Sequence, residues 1–349
     1  MNSRRRFLLQ SGMLCSSAAL TGCTAFGPAS PDAGNARQNL VAVPALRRGA
    51  VVGVIAPASP ANGKAQAAAD WLTAQGFQPR IYPGASHDHN DYLAGDDDAR
   101  LADLHAAFSA RDVSAIICLR GGYGSTRLLD QVDYPLLRRN AKIFVGYSDI
   151  TALHAAIGQR AGFVTFHGPM VASDFLRDKQ EPTVSGLFNM LTGGVASGSW
   201  LYQPATLPLH TISSGVAHGR LGGGNLSMIA ALLGTPYEPD FRDSILFIED
   251  VGEAPYKIDR LLTQLRLAGK LQQVRGVLVG NFADTGAAGS DAQARIDQLW
   301  RQMLQPLKVP VLAGWHSGHC NPNLTLPLGA SITLDADRQG VQLRQAVVV

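Results

Sequence analysis

The chain has 349 residues, 46% of them hydrophobic and 16% charged, with a net charge of +3. That is enough for two domains with proper cores, and the lack of a dense Lys/Arg stripe beyond the first few residues argues against nucleic acid as a partner. No run of 18 or more apolar residues lies in the body of the chain, so the body does not span a membrane.

Residues 1–23 read as a targeting segment and stand apart from the fold. Ser3-Arg4-Arg5-Arg6-Phe7-Leu8-Leu9 pairs arginines with an aromatic and leucines, the twin-arginine pattern. A moderately apolar stretch follows and closes in Leu20-Thr21-Gly22-Cys23, which resembles a bacterial lipobox in which Cys23 is acylated after cleavage. The expectation is export by the twin-arginine route and a lipid anchor on the periplasmic side of the membrane. Residues 24–47, rich in Ala, Pro, Ser, Gly and Asn, read as a flexible tether.

From residue 48 strands and helices alternate. Residues 51–55 begin a strand, 63–75 a helix ending at Gly76, 77–82 a strand, 96–110 a helix and 115–119 a strand. This order argues for a parallel sheet covered on both faces, with its site beyond the carboxyl ends of the strands. Arg120-Gly121-Gly122-Tyr123-Gly124 falls at one such end; it lacks the spaced glycines and the lysine of nucleotide loops. It reads as a loop that lets backbone amides approach a substrate. Residues 141–145 form a buried strand, and Gly146-Tyr147-Ser148-Asp149 turns it into a helix over 150–157. A serine at such a turn has its hydroxyl exposed at the sheet edge, beside helix-start N–H groups that stabilise negative charge. Helix capping alone would also favour Ser and Asp there, so the partners decide.

Residues 176–214 read as a connector, and residues 215–349 as a second half. That half carries Gly222-Gly223-Gly224-Asn225, a strand over 244–248 ending in Glu249-Asp250, and a helix over 257–267. A strand over 276–280, a helix over 292–304 and the loop Trp315-His316-Ser317-Gly318-His319-Cys320-Asn321 complete it. Three strand-end loops thus supply Ser, Glu or Asp, and His, the set that a serine nucleophile needs. Cys118 sits in an apolar run and packs as a small hydrophobe. Cys320 lacks the cationic setting of a reactive thiolate, and a Cys118–Cys320 bond stays open without being favoured. His87 and His89 lie in a polar stretch typical of a solvated loop, and His154 and His167 read as satisfied structural residues, with the alternative for His167 that its Gly-Pro turn lines the cleft. No metal-ligand spacing and no cofactor motif occurs.

Several motifs stand out along the chain: Val54-Ile55-Ala56-Pro57-Ala58-Ser59-Pro60, Leu119-Arg120-Gly121-Gly122-Tyr123-Gly124-Ser125 and Gly146-Tyr147-Ser148-Asp149-Ile150-Thr151. His167-Gly168-Pro169, Gly223-Gly224-Asn225-Leu226, Ile248-Glu249-Asp250-Val251-Gly252-Glu253 and Gly318-His319 before Leu326-Pro327-Leu328-Gly329 extend the set to nearly all of the chain after residue 48. Together they resemble the LD-carboxypeptidase family of serine peptidases, which includes muramoyltetrapeptide carboxypeptidases and microcin C immunity proteins.

The resemblance implies an α/β fold. A flavodoxin- or Rossmann-like parallel-sheet domain (residues 48–175) would carry the nucleophile, and a smaller mixed domain with barrel-like strands the other two groups. By position the nucleophile is Ser148, the acid Glu249 rather than Asp250, and the base His319, with His316 its near rival. The oxyanion hole falls to the N–H of Asp149 and, in the glycine loop, of Gly122, with Gly121 beside it. Asn225, at the end of a glycine nest, is the candidate for holding a terminal carboxylate. The implied reaction releases the terminal D-alanine of a peptidoglycan tetrapeptide through an acyl-enzyme, with a muropeptide or stem peptide as partner and no cofactor. A homodimer is compatible with this reading. The alternatives are a microcin-immunity-like amidase and a lipid-anchored muropeptide-binding protein without catalysis.

Overall fold

The computed structural model describes residues 40–86, 92–286 and 290–349. The expected targeting segment, Cys23 included, and most of the expected tether lie outside them, as do His87 and His89. The first part of the chain runs through β1 (Val51–Ile55), α1 (Ala65–Ala74), β2 (Gln78–Ile81), α2 (Asp97–Ser109), β3 (Val113–Cys118), α3 (Tyr134–Arg139), β4 (Ile143–Gly146), α4 (Thr151–Ala156), β5 (Thr165–His167) and α5 (Thr183–Leu191). The remainder comprises β6 (His210–Ser213), β7 (Val216–Asn225), α6 (Leu226–Leu232), β8 (Ser244–Val251), α7 (Pro255–Leu267), β9 (Gly276–Ala283), α8 (Ser290–Met303), β10 (Val311–Ala313), β11 (Leu326–Leu328), β12 (Ser331–Asp335) and β13 (Gly340–Leu343).

The first sheet has the order β11-β5-β4-β3-β1-β2, and its first five strands in sequence run parallel. This is the flavodoxin-like arrangement, whose strand order reverses between β1 and β3 and opens a crevice there. All of β4 and four of the five residues of β1 are buried, as strands covered on both faces require. The sixth strand, β11, comes from near the C-terminus and pairs antiparallel with β5. The sheet is therefore mixed, and the later part of the chain completes it.

The second sheet has the order β13-β12-β7-β8-β9-β10-β6 and curls into a half-barrel. Its inner face is continuous with the first core: Phe247 and Leu278 join Val145 and Phe166 in one buried cluster. Its outer face packs Leu246, Ile248, Val277 and Val279 against Leu262 of α7 and Trp300 of α8. The described residues form a single compact unit.

Two expectations need correcting. Residues 40–47 are not tether: Val43 and Leu46 are buried, and the Val43 and Ala45 N–H groups donate to Val347 and Val349. The segment 176–214 is more than a connector, since it contains α5 and the edge strand β6, which pairs with β10. Leu187, Met190 and Leu191 of α5 enter the core, so tertiary packing gives this stretch an order that its glycine-rich tail obscures.

Candidate active site

The turn after β4 places Ser148 at φ +65°, a left-handed conformation that a non-glycine residue adopts only when its surroundings enforce it. The enforcement is visible on both sides. Gly146 has no room for a side chain, because a Cβ would stand 2.8 Å from Ile150. Asp149 is buried; its carboxylate accepts from the Ser125 N–H (2.8 Å) and its carbonyl from the Ser125 hydroxyl (2.6 Å). The serine turn is thereby fastened to the Arg120–Ser125 loop. Burial pushes the Asp149 carboxyl above its ordinary range, against the pull of the Ser125 hydrogen bonds. In that loop Gly121 packs directly on the nucleophile candidate, since a Cβ there would lie 2.8 Å from Ser148 Cβ and 3.1 Å from its Oγ. Gly122 has φ +112° and no space for a side chain beside Ser59. Beyond Ile150 the helix is shorter than expected: α4 ends at Ala156 and widens into a π-turn over Ile157–Ala161.

Glu249 lies on β8, where the pairing with β9 slips between Ile248 and Asp250. Successive strand residues face opposite ways, and the two acids divide accordingly. Asp250 serves α6, accepting from Asn225 Nδ2 (2.9 Å), the Ser227 N–H (2.9 Å) and the Ser227 hydroxyl (2.8 Å). Glu249, fully buried, shares the inner face with Phe247 and turns to the histidines.

His319 follows β10 in a loop held by Gly318 N–H to Asn323 Oδ1 (3.0 Å) and by Lys179 Nζ to the Cys320 carbonyl (2.9 Å). Its Nδ1–H donates to Glu249 Oε2 at 2.7 Å, and its Nε2 accepts from Ser148 Oγ at 3.1 Å. This tautomer is the one the network assigns. The Tyr147 ring meets the imidazole edge-on, with centroids 5.0 Å apart. Burial opposes the imidazolium, but the hydrogen bond and charge of Glu249 prevail and raise the His319 pKa. Burial would likewise raise Glu249; the pull of His167 and His319 outweighs it and holds the acid at about 2. A serine, a base and an ionised acid thus stand in hydrogen-bonded line, the arrangement that activates a hydroxyl for attack on a carbonyl.

Of the remaining candidates, His316 has no contact with Ser148 or Glu249 among the described hydrogen bonds; its backbone N–H donates to Gln203, and burial lowers its pKa. Asn225 sits beside Glu249 in the β7–β8 pairing, and its polar groups are engaged in the framework around α6. Its side-chain Oδ1 accepts from the Met228 N–H and caps α6, its Nδ2 donates to Asp250, and its N–H donates to Thr151 Oγ1. The preceding glycines are strand residues paired with β8, so they form no nest; Gly224 instead lets β7 approach Thr151 of α4. Cys118 and Cys320 are free thiols, both raised by burial. No group of metal-ligating side chains occurs among the described residues.

One residue that the sequence presents as structural, with a place in a turn that could line the cleft, stands in the site as well. His167 ends β5, fully buried, with Nε2 3.6 Å from Glu249 Oε1. Only its place before Gly168-Pro169 sets it apart in the sequence.

Residues 52–168 match the LD-carboxypeptidase N-terminal domain, and residues 218–334 the LD-carboxypeptidase C-terminal domain. Ser148 falls in the first match, and Glu249 and His319 in the second. The chain is 40% identical over 292 residues to a probable murein peptide carboxypeptidase of Bacillus subtilis, covering 83% of this chain and 90% of that one. It is 41% identical over 309 residues to a putative carboxypeptidase of Streptomyces coelicolor, covering 86% and 95%. Among solved structures, muramoyltetrapeptide carboxypeptidase from Oxalobacter formigenes superposes with a TM-score of 0.70 at 31% identity, over 84% of this chain and 97% of that one. Microcin C7 self immunity protein MccF shares the fold, with a TM-score of 0.79 at 24% identity over 88% and 100%. The chain belongs to the LD-carboxypeptidase family and is a serine carboxypeptidase.

Proposed function

We propose that the protein cleaves the bond between the L-centre of the third residue and the terminal D-alanine of a peptidoglycan tetrapeptide, using Ser148 as nucleophile. The observation that carries this reading is the line Ser148–His319–Glu249, joined at 3.1 and 2.7 Å. Ser148 Oγ attacks the carbonyl carbon as its proton passes to His319 Nε2. The oxyanion forms beside the Asp149 and Gly122 N–H groups, a location supported by the packing of Gly121 on Ser148. The C–N bond then breaks, and His319 returns the proton to the departing D-alanine amine. Water repeats the sequence on the ester, restoring Ser148 and releasing the tripeptide acid.

A carboxypeptidase must also pair the carboxylate of the residue it removes. With the glycine nest dissolved into a strand, Arg120 takes that role in our reading. It follows β3 at the β1/β3 crevice, and its Nη1 donates to the Pro60 carbonyl (3.1 Å). No carboxylate pairs with it among the described ion pairs, and its Nη2 lies 3.6 Å from where a Cβ on Gly122 would stand. A bidentate guanidinium suits a terminal carboxylate.

Export by the twin-arginine route and anchoring through Cys23 complete the proposal, which places the substrate among wall or shed muropeptides outside the cytoplasm. The test offers tetrapeptide and pentapeptide muropeptides in parallel and follows products by mass. Release of D-alanine from the tetrapeptide alone is expected. Cleavage of the pentapeptide's D-Ala–D-Ala bond, or no action on either, overturns the reading and favours a microcin-immunity-like amidase.

A further inference from the structure

The acid of the triad is enclosed by two imidazoles. Glu249 Oε2 takes the His319 proton, while Oε1 has no hydrogen-bond partner and less than 1 Å² of accessible surface. Facing it at 3.6 Å is His167 Nε2, equally buried and equally without a partner. Two orphaned polar atoms buried against each other are rare, because each forfeits its hydration. The other ring nitrogen of His167 lies 3.3 Å from the hydroxyl of Ser317, two residues before the base.

The two tautomers of His167 are not equivalent. With the proton on Nδ1, an imidazole lone pair would face an ionised carboxylate in a site that excludes water. With the proton on Nε2, His167 donates towards Glu249 Oε1 and accepts at Nδ1 from Ser317. Only the second turns a donor towards each of the facing acceptors. The ring is packed on two sides: Phe247 meets it edge-on at 5.0 Å and Tyr147 at 5.9 Å. Its backbone is pinned too, paired with Gly146 of β4 and Leu326 of β11. Hydrogen bonds at catalytic sites are often long without substrate and tighten in the reacting complex.

We infer that His167 is a positioning residue: its Nε2–H holds the far oxygen of Glu249, so that the near oxygen stays aimed at His319 and the acid stays ionised. The charge it stabilises matters most when His319 becomes imidazolium, since Glu249 has no contact with water to share that load. The other ionisable groups facing this cluster are Tyr147 and Cys320, which feel the Glu249 charge, Asp174 and Asp250, which act on His319, Lys179, which pairs with Asp174, and His154, which neighbours His167.

The inference deepens the proposed reaction, and two measurements separate its fate from that of the substrate assignment. The first is 15N-histidine NMR of the full-length wild-type protein, which needs no substrate. His167 is expected with its proton on Nε2 and His319 with its proton on Nδ1; a His167 protonated on Nδ1 alone overturns the inference. The second compares His167→Leu with His167→Gln on a peptide that the wild type cleaves. The leucine variant should lose roughly 10- to 100-fold in kcat at little change in KM, as outer partners of active-site ligands do. The acid limb of its kcat/KM profile should move to higher pH, because a carboxylate deprived of one donor binds the His319 proton more tightly. Glutamine keeps an N–H at the same reach and should restore most of the rate and the original limb. Wild-type kinetics in His167→Leu, or equal losses in both variants with the acid limb unmoved, refute the role. If the wild type cleaves no tetrapeptide, the substrate reading falls, and the NMR result still decides the position of the His167 proton.

Discussion

Gly318 is the place where one methyl group should separate the base from its acid. It has φ +112°, and a Cβ added there would stand 2.8 Å from both Cγ and Cδ of Glu249 and closer still to Oε2, the oxygen that accepts from His319. Ordinary contact begins near 3.4 Å, so the carboxylate or the loop must retreat by at least about 0.6 Å to clear the two carbons, and further to clear Oε2. Glu249 is fully buried and has nowhere to go. The loop is tied by Asn323 and Lys179, so its retreat carries His319 away from Ser148. Overpacking of this kind costs about 1–3 kcal/mol, and alanine at positive φ adds more than about 1 kcal/mol. Misplacing a reacting group by a fraction of an ångström to one ångström costs up to about 10²-fold in rate. Gly318→Ala should therefore stay folded with a lowered Tm, while kcat for release of the terminal residue falls by roughly two orders of magnitude. The assay pairs thermal unfolding with D-alanine release from a tetrapeptide. A folded Gly318→Ala enzyme with wild-type kcat would refute the geometry of the triad, because no other reading makes this glycine obligatory for catalysis.

Ser148→Ala and His319→Ala should each lose about 10⁶-fold in kcat, and Glu249→Gln about 10⁴-fold, because an amide fixes the wrong imidazole tautomer; His316→Ala should stay near wild type in the same assay. Activity requires neutral His319, whose pKa Glu249 raises, so the acid limb of kcat/KM should lie above the ordinary imidazole range and move to lower pH in Glu249→Gln. Asp250→Ala strips the carboxylate that binds Asn225 and Ser227 and should cost about 3 kcal/mol in denaturant unfolding; an unchanged midpoint would contradict its part in fastening α6. Cys23→Ser should release the protein from membranes or block its processing, and a wild-type mature chain that begins beyond residue 23 and is soluble would dispose of the anchor.

Much of the site is legible in the amino-acid sequence. Ser148 stands out because it sits in a tight turn between an apolar strand and a helix, and the Glu and His at two other strand ends decide between a nucleophile and a helix cap. Glu249 can be told from Asp250 only through the family resemblance, and the fold supplies the reason in the alternation of β8. The choice of His319 over His316 likewise needs the preceding glycine, whose missing Cβ makes room for Glu249. What escapes is non-local. His167 lies 82 residues from Glu249 in sequence, and no local pattern announces that contact. The three residues of β11 are too few to reveal that they close the first sheet from the far end of the chain. Gly223 and Gly224 resemble an anion nest because both a nest and a close strand–helix approach require glycine; only the pairing with β8 separates the two.

The central claim, that Ser148 attacks the peptide carbonyl and carries the acyl group, is tested most directly by acid-quenching the enzyme during turnover of a tetrapeptide and mapping its peptides by mass. The account predicts a tripeptide acyl adduct on the peptide containing Ser148, absent in Ser148→Ala, which should also release no D-alanine. Undiminished turnover by folded Ser148→Ala, or an acyl group on any other residue, would contradict it.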